Sequence, residues 1–420
     1  MKRLSSSNLY NLLDSYAIVS SSLSSDETLK RIMNEATILL NAEAASIFLV
    51  DAVNNELFMK VSTNLTDDEA KEMRVPFGKG LVGYAAKTGE LLNTKNTEKD
   101  DRFYPGIDKR TGMKTVSCLT VPLKIEEQII GAAQIINKKG KTFFDEEDEL
   151  LLTEFSKLAS ITLDKALMHE QIVLKEKMET DLAIASSIQN NLLPENKLVV
   201  KDYMFTGFYK PAKYVSGDYF DFFPIAENEV FFTIGDVTGK GAHASLLMAS
   251  VEAFLSASFE YKHNLTEVVF KLNNFFTRKT PEGIFVTMFF GILNTDAMEL
   301  TYINAGHPSP FIIRKNGNKV VLEATDVVLG VMQNWKYEVN FVSFEPEDLL
   351  FSFTDGIIEA RNLAGDLFGF ERLFNEVKKY QFDSNHILTS LPKAISDYTH
   401  PQVQGDDISF LLISGANKNK

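Results

Sequence analysis

The aspartates in the second half of the chain recur where short apolar runs give way to glycine. Val215-Ser216-Gly217-Asp218-Tyr219-Phe220-Asp221, Ile234-Gly235-Asp236-Val237-Thr238-Gly239-Lys240-Gly241, Phe353-Thr354-Asp355-Gly356 and Gly405-Asp406-Asp407-Ile408-Ser409 share this texture. Asp and Gly are ordinary turn formers, which accounts for any one of these sites taken alone. Four in one domain ask for more. Carboxylates brought together repel and raise one another's pKa, so such a cluster makes physical sense around hard divalent cations. The neighbouring glycines let backbone approach closely enough for a carbonyl to join the coordination. The six histidines form no HExxH pair and Cys118 stands alone, so the donor set argues against zinc and for oxygen-ligated Mg2+ or Mn2+. Two such ions, about 3.5–4 Å apart, lower the pKa of a bridging water and hold a phosphoryl group for in-line attack, with no protein nucleophile.

Those aspartates need a scaffold. Beyond Tyr203 the chain reads as short, Phe-rich strands over 204–209, 230–235, 286–293, 299–304, 311–314 and 349–354, with helical windows at 243–258 and 266–277, enough for two packed sheets. Upstream, Leu29, Ile32, Met33, Ala36, Leu39 and Leu40 predict an amphipathic helix. Runs at 44–50 and 56–61 then predict a hairpin across Asn54-Asn55. Gly78, Gly80 and Gly83 lead into a short helix stopped by Thr88-Gly89, and a second hairpin is expected over 117–124 and 129–137. That order describes an α+β module with an antiparallel sheet. Between about 150 and 193 Gly and Pro are sparse, and Leu163, Leu167, Leu174, Met178, Leu182, Ala185 and Leu192 predict one long helix, ended by Pro194. A dimerising coiled coil is the expected use, although Gln171 and Gln189 fall at seam positions; the alternative is a surface helix packed on its own domain.

The 420 residues carry a net charge of −14 and one cysteine. A single cysteine makes no internal disulfide, and a reducing, cytoplasmic compartment is expected. The acidic balance, without a Lys/Arg cluster, argues against nucleic acid and against a basic membrane-surface helix. No run approaches the ~20 uninterrupted apolar residues of a membrane span.

The segments VSGDYFD, GDVTGKG, NAGHPSP, FTDGIIEA and GDDIS, in that order over about 194–414, resemble the SpoIIE-type branch of the metal-dependent protein serine/threonine phosphatases, the PPM family. The resemblance implies an α/β sandwich of two antiparallel sheets flanked by helices, holding two Mn2+ or Mg2+ ions. It makes Asp236 the bridging carboxylate, puts the Val237 carbonyl and Asp218 on one ion, and puts Asp355 and Asp406 on the other. Asp221 and Asp407 rank second, as hydrogen-bond partners of the ligands. His307 is expected to be structural, and Lys240 an exposed loop charge rather than a phosphate ligand. This branch lacks the arginine that grips phosphate in eukaryotic members, and no substitute is evident. The segment from Ile184 to Pro194, with its I-Q-x-x-L-L-P pattern, is similar to the junction helix thought to switch such sites between competent and incompetent arrangements.

The N-terminal module is similar to a GAF sensor domain through Phe77-Gly78-Lys79-Gly80-Leu81-Val82-Gly83, Val121-Pro122-Leu123 and Ile129–Lys138. Asn137, Lys138, Phe144, Asp148 and Glu149 fit the N-K-x(n)-F-x(3)-D-E pattern of cyclic-nucleotide-binding members, in which these residues stabilise the fold around the pocket. A cyclic nucleotide (cAMP or cGMP), another small ligand, and a structural or dimerising role stay open. The expected organisation is a helical segment over 1–22, a GAF domain over 23–165 and a linker and switch helix over 166–194. A phosphatase domain over 195–415 and a tail over 416–420 complete it. By resemblance the partner is a phosphorylated protein, an anti-sigma-factor antagonist with a STAS domain, acted on by a homodimer. The competing reading is a catalytically silent scaffold, and all four aspartates are present against it.

Overall fold

A computed structural model describes residues 24–416 apart from 142, 196, 261–263, 282, 381–382 and 403. The helical segment expected over 1–22, and all but the first residue of the tail over 416–420, lie outside the described residues. The chain divides into two compact units, Met1–Glu176 and Lys177–Lys420.

The first unit begins with α1 (Ser25–Leu39), started by a capping box: Glu27 N donates to Ser24 Oγ (3.3 Å) and Ser24 N donates back to Glu27 Oε2 (3.2 Å). Its apolar spacing becomes one buried face of Leu29, Ile32, Met33 and Ala36. Strands β1 (Ala42–Asp51), β2 (Glu56–Ser62), β3 (Arg74–Pro76), β4 (Leu92–Thr94), β5 (Cys118–Ile125) and β6 (Gln128–Lys138) form an antiparallel sheet in the order β3-β2-β1-β6-β5-β4. The edge strands β3 and β4, three residues each, are too short to show alternation and escape a sequence reading. Short helices α2 (Asp67–Lys71), α3 (Gly80–Thr88) and α4 (Gly106–Thr111) connect them, and Gly89 at φ +75° ends α3. Because side chains alternate along a strand, Ile47 enters a core with α1 while Phe48 enters a second with Leu81, Val82 and Ala85 of α3.

Helix α5 (Glu146–Leu192) runs unbroken for 47 residues. It starts ahead of its apolar pattern because Asp145 Oδ1 accepts from Glu147 N (3.1 Å) and Asp148 N (3.2 Å), and the acidic first turn suits the positive end of the helix dipole. Leu151, Leu152, Phe155, Leu158 and Leu163 join the first unit's core, whereas Leu167, Met168, Ile172, Leu174 and Met178 are exposed.

The second unit contains a six-stranded antiparallel sheet and a five-stranded one. Strands β7 (Lys197–Val200), β8 (Tyr203–Lys210), β13 (Phe311–Ile313), β14 (Lys319–Val321), β16 (Leu349–Phe353) and β17 (Ile408–Gly415) form the first, in the order β14-β13-β16-β17-β8-β7. Strands β9 (Tyr219–Ala226), β10 (Glu229–Val237), β11 (Val286–Asn294), β12 (Glu299–Ala305) and β15 (Asn340–Ser343) form the second, in the order β15-β12-β11-β10-β9. Phe232 and Ile234 of β10 face the core between the sheets with Phe205, Phe289, Leu350 and Leu411. Phe231 faces outward to Met248, Val251 and Leu255 of α6 (Ala242–Glu260) and Val268 and Leu272 of α7 (Leu265–Lys279). After the single turn of α8 (Asp355–Ile358), helices α9 (Gly369–Lys379) and α10 (Ser384–Thr399) cover the outer face of the other sheet through Leu373, Val377, Ile387 and Leu391. The result is the layered sandwich that the resemblance implied.

Five of these strands were not expected: β7, β14 and β15, of three or four residues each, and the longer β9 and β17. Asp221 and Pro224 interrupt the apolar reading of β9, and in β17 Phe410, Leu411, Leu412 and Ile413 are all buried, a run with no alternation to betray it. Among the described residues one helical window, Ala242–Phe259, is long and apolar enough to cross a membrane by length and composition; its Ala244, Met248, Val251 and Leu255 are buried in the core.

Candidate functional site

The aspartates do not all stand where strands end. Asp218 and Asp406 precede β9 and β17, while Asp236 and Asp355 occupy the exits of β10 and β16. Antiparallel pairing resolves this, because the start of one strand lies beside the end of its neighbour. Tyr219 pairs with Gly235 and Phe410 with Phe353, so each sheet delivers one entering and one leaving aspartate at the same edge. Side chains then tie the edges together. Thr354 Oγ1 donates to Asp218 Oδ2 (2.9 Å), and Asp407 accepts from Ala212 N (2.7 Å) and Gly217 N (3.2 Å). Asp407 thus braces the loop that leads into Asp218. Asp221 does not join the cluster: three residues from Asp218 it points to the opposite face of β9, where Tyr219 Oη donates to its Oδ2 (2.9 Å).

Glycine makes the close packing possible. A Cβ on Gly217 would stand 2.8 Å from the Val237 carbonyl oxygen and 3.1 Å from Asp236 Oδ1, and one on Gly356 would collide with the Asp407 carbonyl. Into this confined space the fold places carboxylates with little to neutralise them. Burial, then the charges of Asp355, Asp406 and Asp407, push Asp236 up to about 7 against an opposing hydrogen bond from Asp218. Asp218, 2% exposed, is raised well above the usual carboxylate range by burial and by Asp236. Asp355 is raised by burial, then by Glu359 and Asp406. Among the described residues no three His, Cys, Asp or Glu side chains stand grouped closely enough to hold a metal ion. The donor chemistry nonetheless fits hard divalent cations: carboxylate oxygens, a main-chain carbonyl at Val237, and no nitrogen or sulfur.

The contacts made by Gln189 and Lys240 were not read from the sequence. Gln189 of α5, 4% exposed, donates from Nε2 to Ser216 O (2.7 Å) and accepts at Oε1 from Ser216 N (3.1 Å) and Tyr209 Oη (3.0 Å). It holds both backbone groups of the residue two before Asp218. Its polarity at a predicted seam position and its place in the I-Q-x-x-L-L-P pattern were the available signals. Lys240 is not a free loop charge: its Nζ lies 2.9 Å from Asp406 Oδ2 and donates to Gly405 O (2.8 Å). His307 is buried with Nδ1 3.0 Å from Thr287 Oγ1, and burial pushes its pKa down to about 3, so the ring is neutral and structural.

In the first unit the five motif residues form a lock. Asn137, at φ +57°, accepts from Val116 N (2.8 Å) and Ser117 N (3.3 Å) and donates to Lys114 O (2.9 Å) and Glu43 Oε2 (2.6 Å). Lys138 Nζ meets Asp148 Oδ1 at 2.7 Å with both side chains buried, and Asp148 Oδ2 accepts from Asp145 N. Asn93 Nδ2 donates to Phe144 O (2.9 Å) and Glu149 Oε1 (2.7 Å), while the Phe144 ring sits in the core beneath α5. Together they fasten β6 and β4 to the start of α5. None of the five lines the nearby cavity, whose walls include Ser46, Phe48, Asn64, Tyr104, Asp108 and Gln134. That cavity measures about 60 Å3, room for a few water molecules.

Residues 226–415 match the family described as stage II sporulation protein E (SpoIIE), and residues 24–163 match the GAF domain family. The chain is 30% identical over 196 residues to the phosphoserine phosphatase RsbU of Bacillus subtilis, covering 46% of this chain and 58% of RsbU. It is 33% identical over 164 residues to the probable 3',5'-cyclic phosphodiesterase pde-5 of Caenorhabditis elegans, covering 37% of this chain and 22% of that protein. The chain therefore spans less than two thirds of the length of either relative. In fold it is similar to the SiaA-PP2C domain of Pseudomonas aeruginosa, with a TM-score of 0.51 and 16% identity over 57% of this chain and 98% of that domain.

Proposed function

We propose that this chain, in which a GAF domain is followed by a SpoIIE/PP2C-type phosphatase domain, is a ligand-regulated, metal-dependent phosphatase acting on phosphoserine or phosphothreonine in a protein. The observation that carries the reading is the meeting of Asp218, Asp236, Asp355 and Asp406 at one edge of the sandwich, with Thr354 bridging the sheets. Asp236, Asp218 and the Val237 carbonyl would hold one Mn2+ or Mg2+, and Asp355 and Asp406 a second. Ions bound there supply an activated water and neutralise phosphoryl charge. The chain's own contribution is orientation. Thr354 fixes the rotamer of Asp218, Asp407 anchors the Ala212–Gly217 loop, and Gln189 sets the backbone at Ser216.

By family resemblance the substrate is a phosphorylated STAS-domain antagonist of an anti-sigma factor, in a cytoplasmic partner-switching pathway. The likeness of the first unit to a cyclic phosphodiesterase supports cAMP or cGMP as regulator. A nucleotide needs a pocket of some hundreds of Å3, so its binding would require the 60 Å3 cavity to open. The exposed apolar positions of α5, Leu167, Ile172, Leu174 and Met178, support pairing with a second copy. Because α5 is continuous into Gln189, a turn of that helix would move the Ser216 backbone.

Hydrolysis of p-nitrophenyl phosphate and of a phosphoserine protein, in EDTA, Mg2+ or Mn2+, with and without cAMP and cGMP, tests this. Metal-dependent turnover altered by one nucleotide is expected. Turnover indifferent to both discards the ligand, and no turnover under any condition replaces the enzyme with the scaffold.

A further inference from the structure

We propose that Lys240 is the side chain that grips the phosphate of the substrate, and that its ion pair with Asp406 is the position from which it is released. The inference rests on the phosphatase reading above. Lys240 sits between Gly239 and Gly241, both left-handed at φ +92° and +89°, so the backbone turns sharply on either side of it and presents the side chain outward four residues after Asp236. At Gly239 a Cβ would also run into the His243 ring. Its ammonium is placed, not free: it bonds Asp406 Oδ2 and the Gly405 carbonyl.

Gly405 and Asp406 are also walls of a solvent-open cleft of about 410 Å3 lined further by Gly356, Glu359 and Lys210. The ammonium therefore lies where the cleft meets the candidate metal ligands. A divalent ion on Asp406 and an ammonium on the same carboxylate repel each other. With half of its side chain in solvent, Lys240 is free to swing from the carboxylate to a phosphate oxygen arriving through the cleft. Lysine suits the task as a mobile point charge with three rotatable donors, and the exchange trades one anionic partner for another. No bond is made or broken by Lys240; it positions the phosphate.

The test uses full-length wild type, Lys240→Met and Lys240→Arg. Titration of the Mn2+-loaded proteins with inorganic phosphate by calorimetry is expected to show binding weakened about tenfold in the Met variant and largely kept in the Arg variant. Mn2+ affinity of the metal-stripped Met variant, read by electron paramagnetic resonance, should be equal to or tighter than wild type because a competing cation is gone. With a phosphoprotein, KM should rise more than kcat falls. Phosphate affinity equal in wild type and Met variant, Mn2+ affinity lost in parallel, or no phosphate binding by loaded wild type would each overturn the assignment. Lysine-dependent phosphate binding without turnover of any phosphoprotein would sink the phosphatase reading and leave Lys240 in place. Turnover with lysine-independent phosphate binding would do the reverse.

Discussion

Two clusters of motif residues in this chain use carboxylates in opposite ways. Around Asp148 in the first unit every charge has a partner within the protein: Lys138 on Asp148, Asn93 on Glu149, and four hydrogen bonds on Asn137. Around Asp236 in the second unit the carboxylates mainly face one another, and their protonation is displaced upward by burial and mutual repulsion. The first cluster has spent its bonding capacity on joining β6 to α5. The second keeps capacity for a partner the polypeptide does not provide, as expected of a functional site. In the second cluster Lys240 pairs with Asp406, while burial and repulsion raise the pKa values of Asp218, Asp236 and Asp355.

The comparison breaks most visibly at Asp236. Asp236→Ala is expected to cut metal-dependent hydrolysis by about a thousandfold or more while leaving the sandwich folded, since removing a repelled buried charge does not unpair another. Near-normal turnover would defeat the two-ion assignment. The lock should respond in stability instead. Lys138→Met leaves Asp148 buried without its cation and should destabilise the first unit by about 3 kcal/mol, seen as a lower Tm in calorimetry. An unchanged Tm would mean that the pair is not structural. Gln189→Ala lies between these cases, since it frees the Ser216 backbone without touching a ligand. Hydrolysis and Mn2+ affinity should both fall by about 10–100-fold, and a loss confined to stability would remove Gln189 from the site.

The smallest effect is in pH. Asp236 and Asp221 have folded-state pKa values of about 7 and about 6 against 3.8 for an ordinary Asp, so the folded state binds more protons than the unfolded chain between those limits. Stability is fully present below about pH 4 for these two groups and is lost as pH rises toward 7. In EDTA the second unit should therefore melt at lower temperature at pH 8 than at pH 5, and Mn2+ should flatten that slope. A Tm in EDTA that rises over this range would contradict the assignment of unneutralised carboxylates.

Much of this was legible in advance. The 3-4 spacing of Leu29, Ile32, Met33 and Ala36 announced a helix, Asn54-Asn55 announced a turn, and the Asp-Gly pairs singled out the residues that gather at the sandwich edge. Periodicity failed at β17, which is buried on both faces, and at the three-residue edges β3 and β4. Asp221, ranked behind Asp218 in sequence but expected beside it, is sent to the other face by the pleat of β9.

Local chemistry by itself put Asp-Gly pairs, with oxygen donors of the kind hard cations take, beside apolar runs and marked the capped and amphipathic elements, because turn preference, capping and apolar period act within a few residues. Tertiary structure alone decided which charges are satisfied. Gln189 reaches Ser216 across 27 positions, Thr354 reaches Asp218 across 136, and Lys240 meets the carbonyl of Gly405 across 165. Contacts at such separations depend on sheet order and burial, and burial sets the cost of leaving a charge alone.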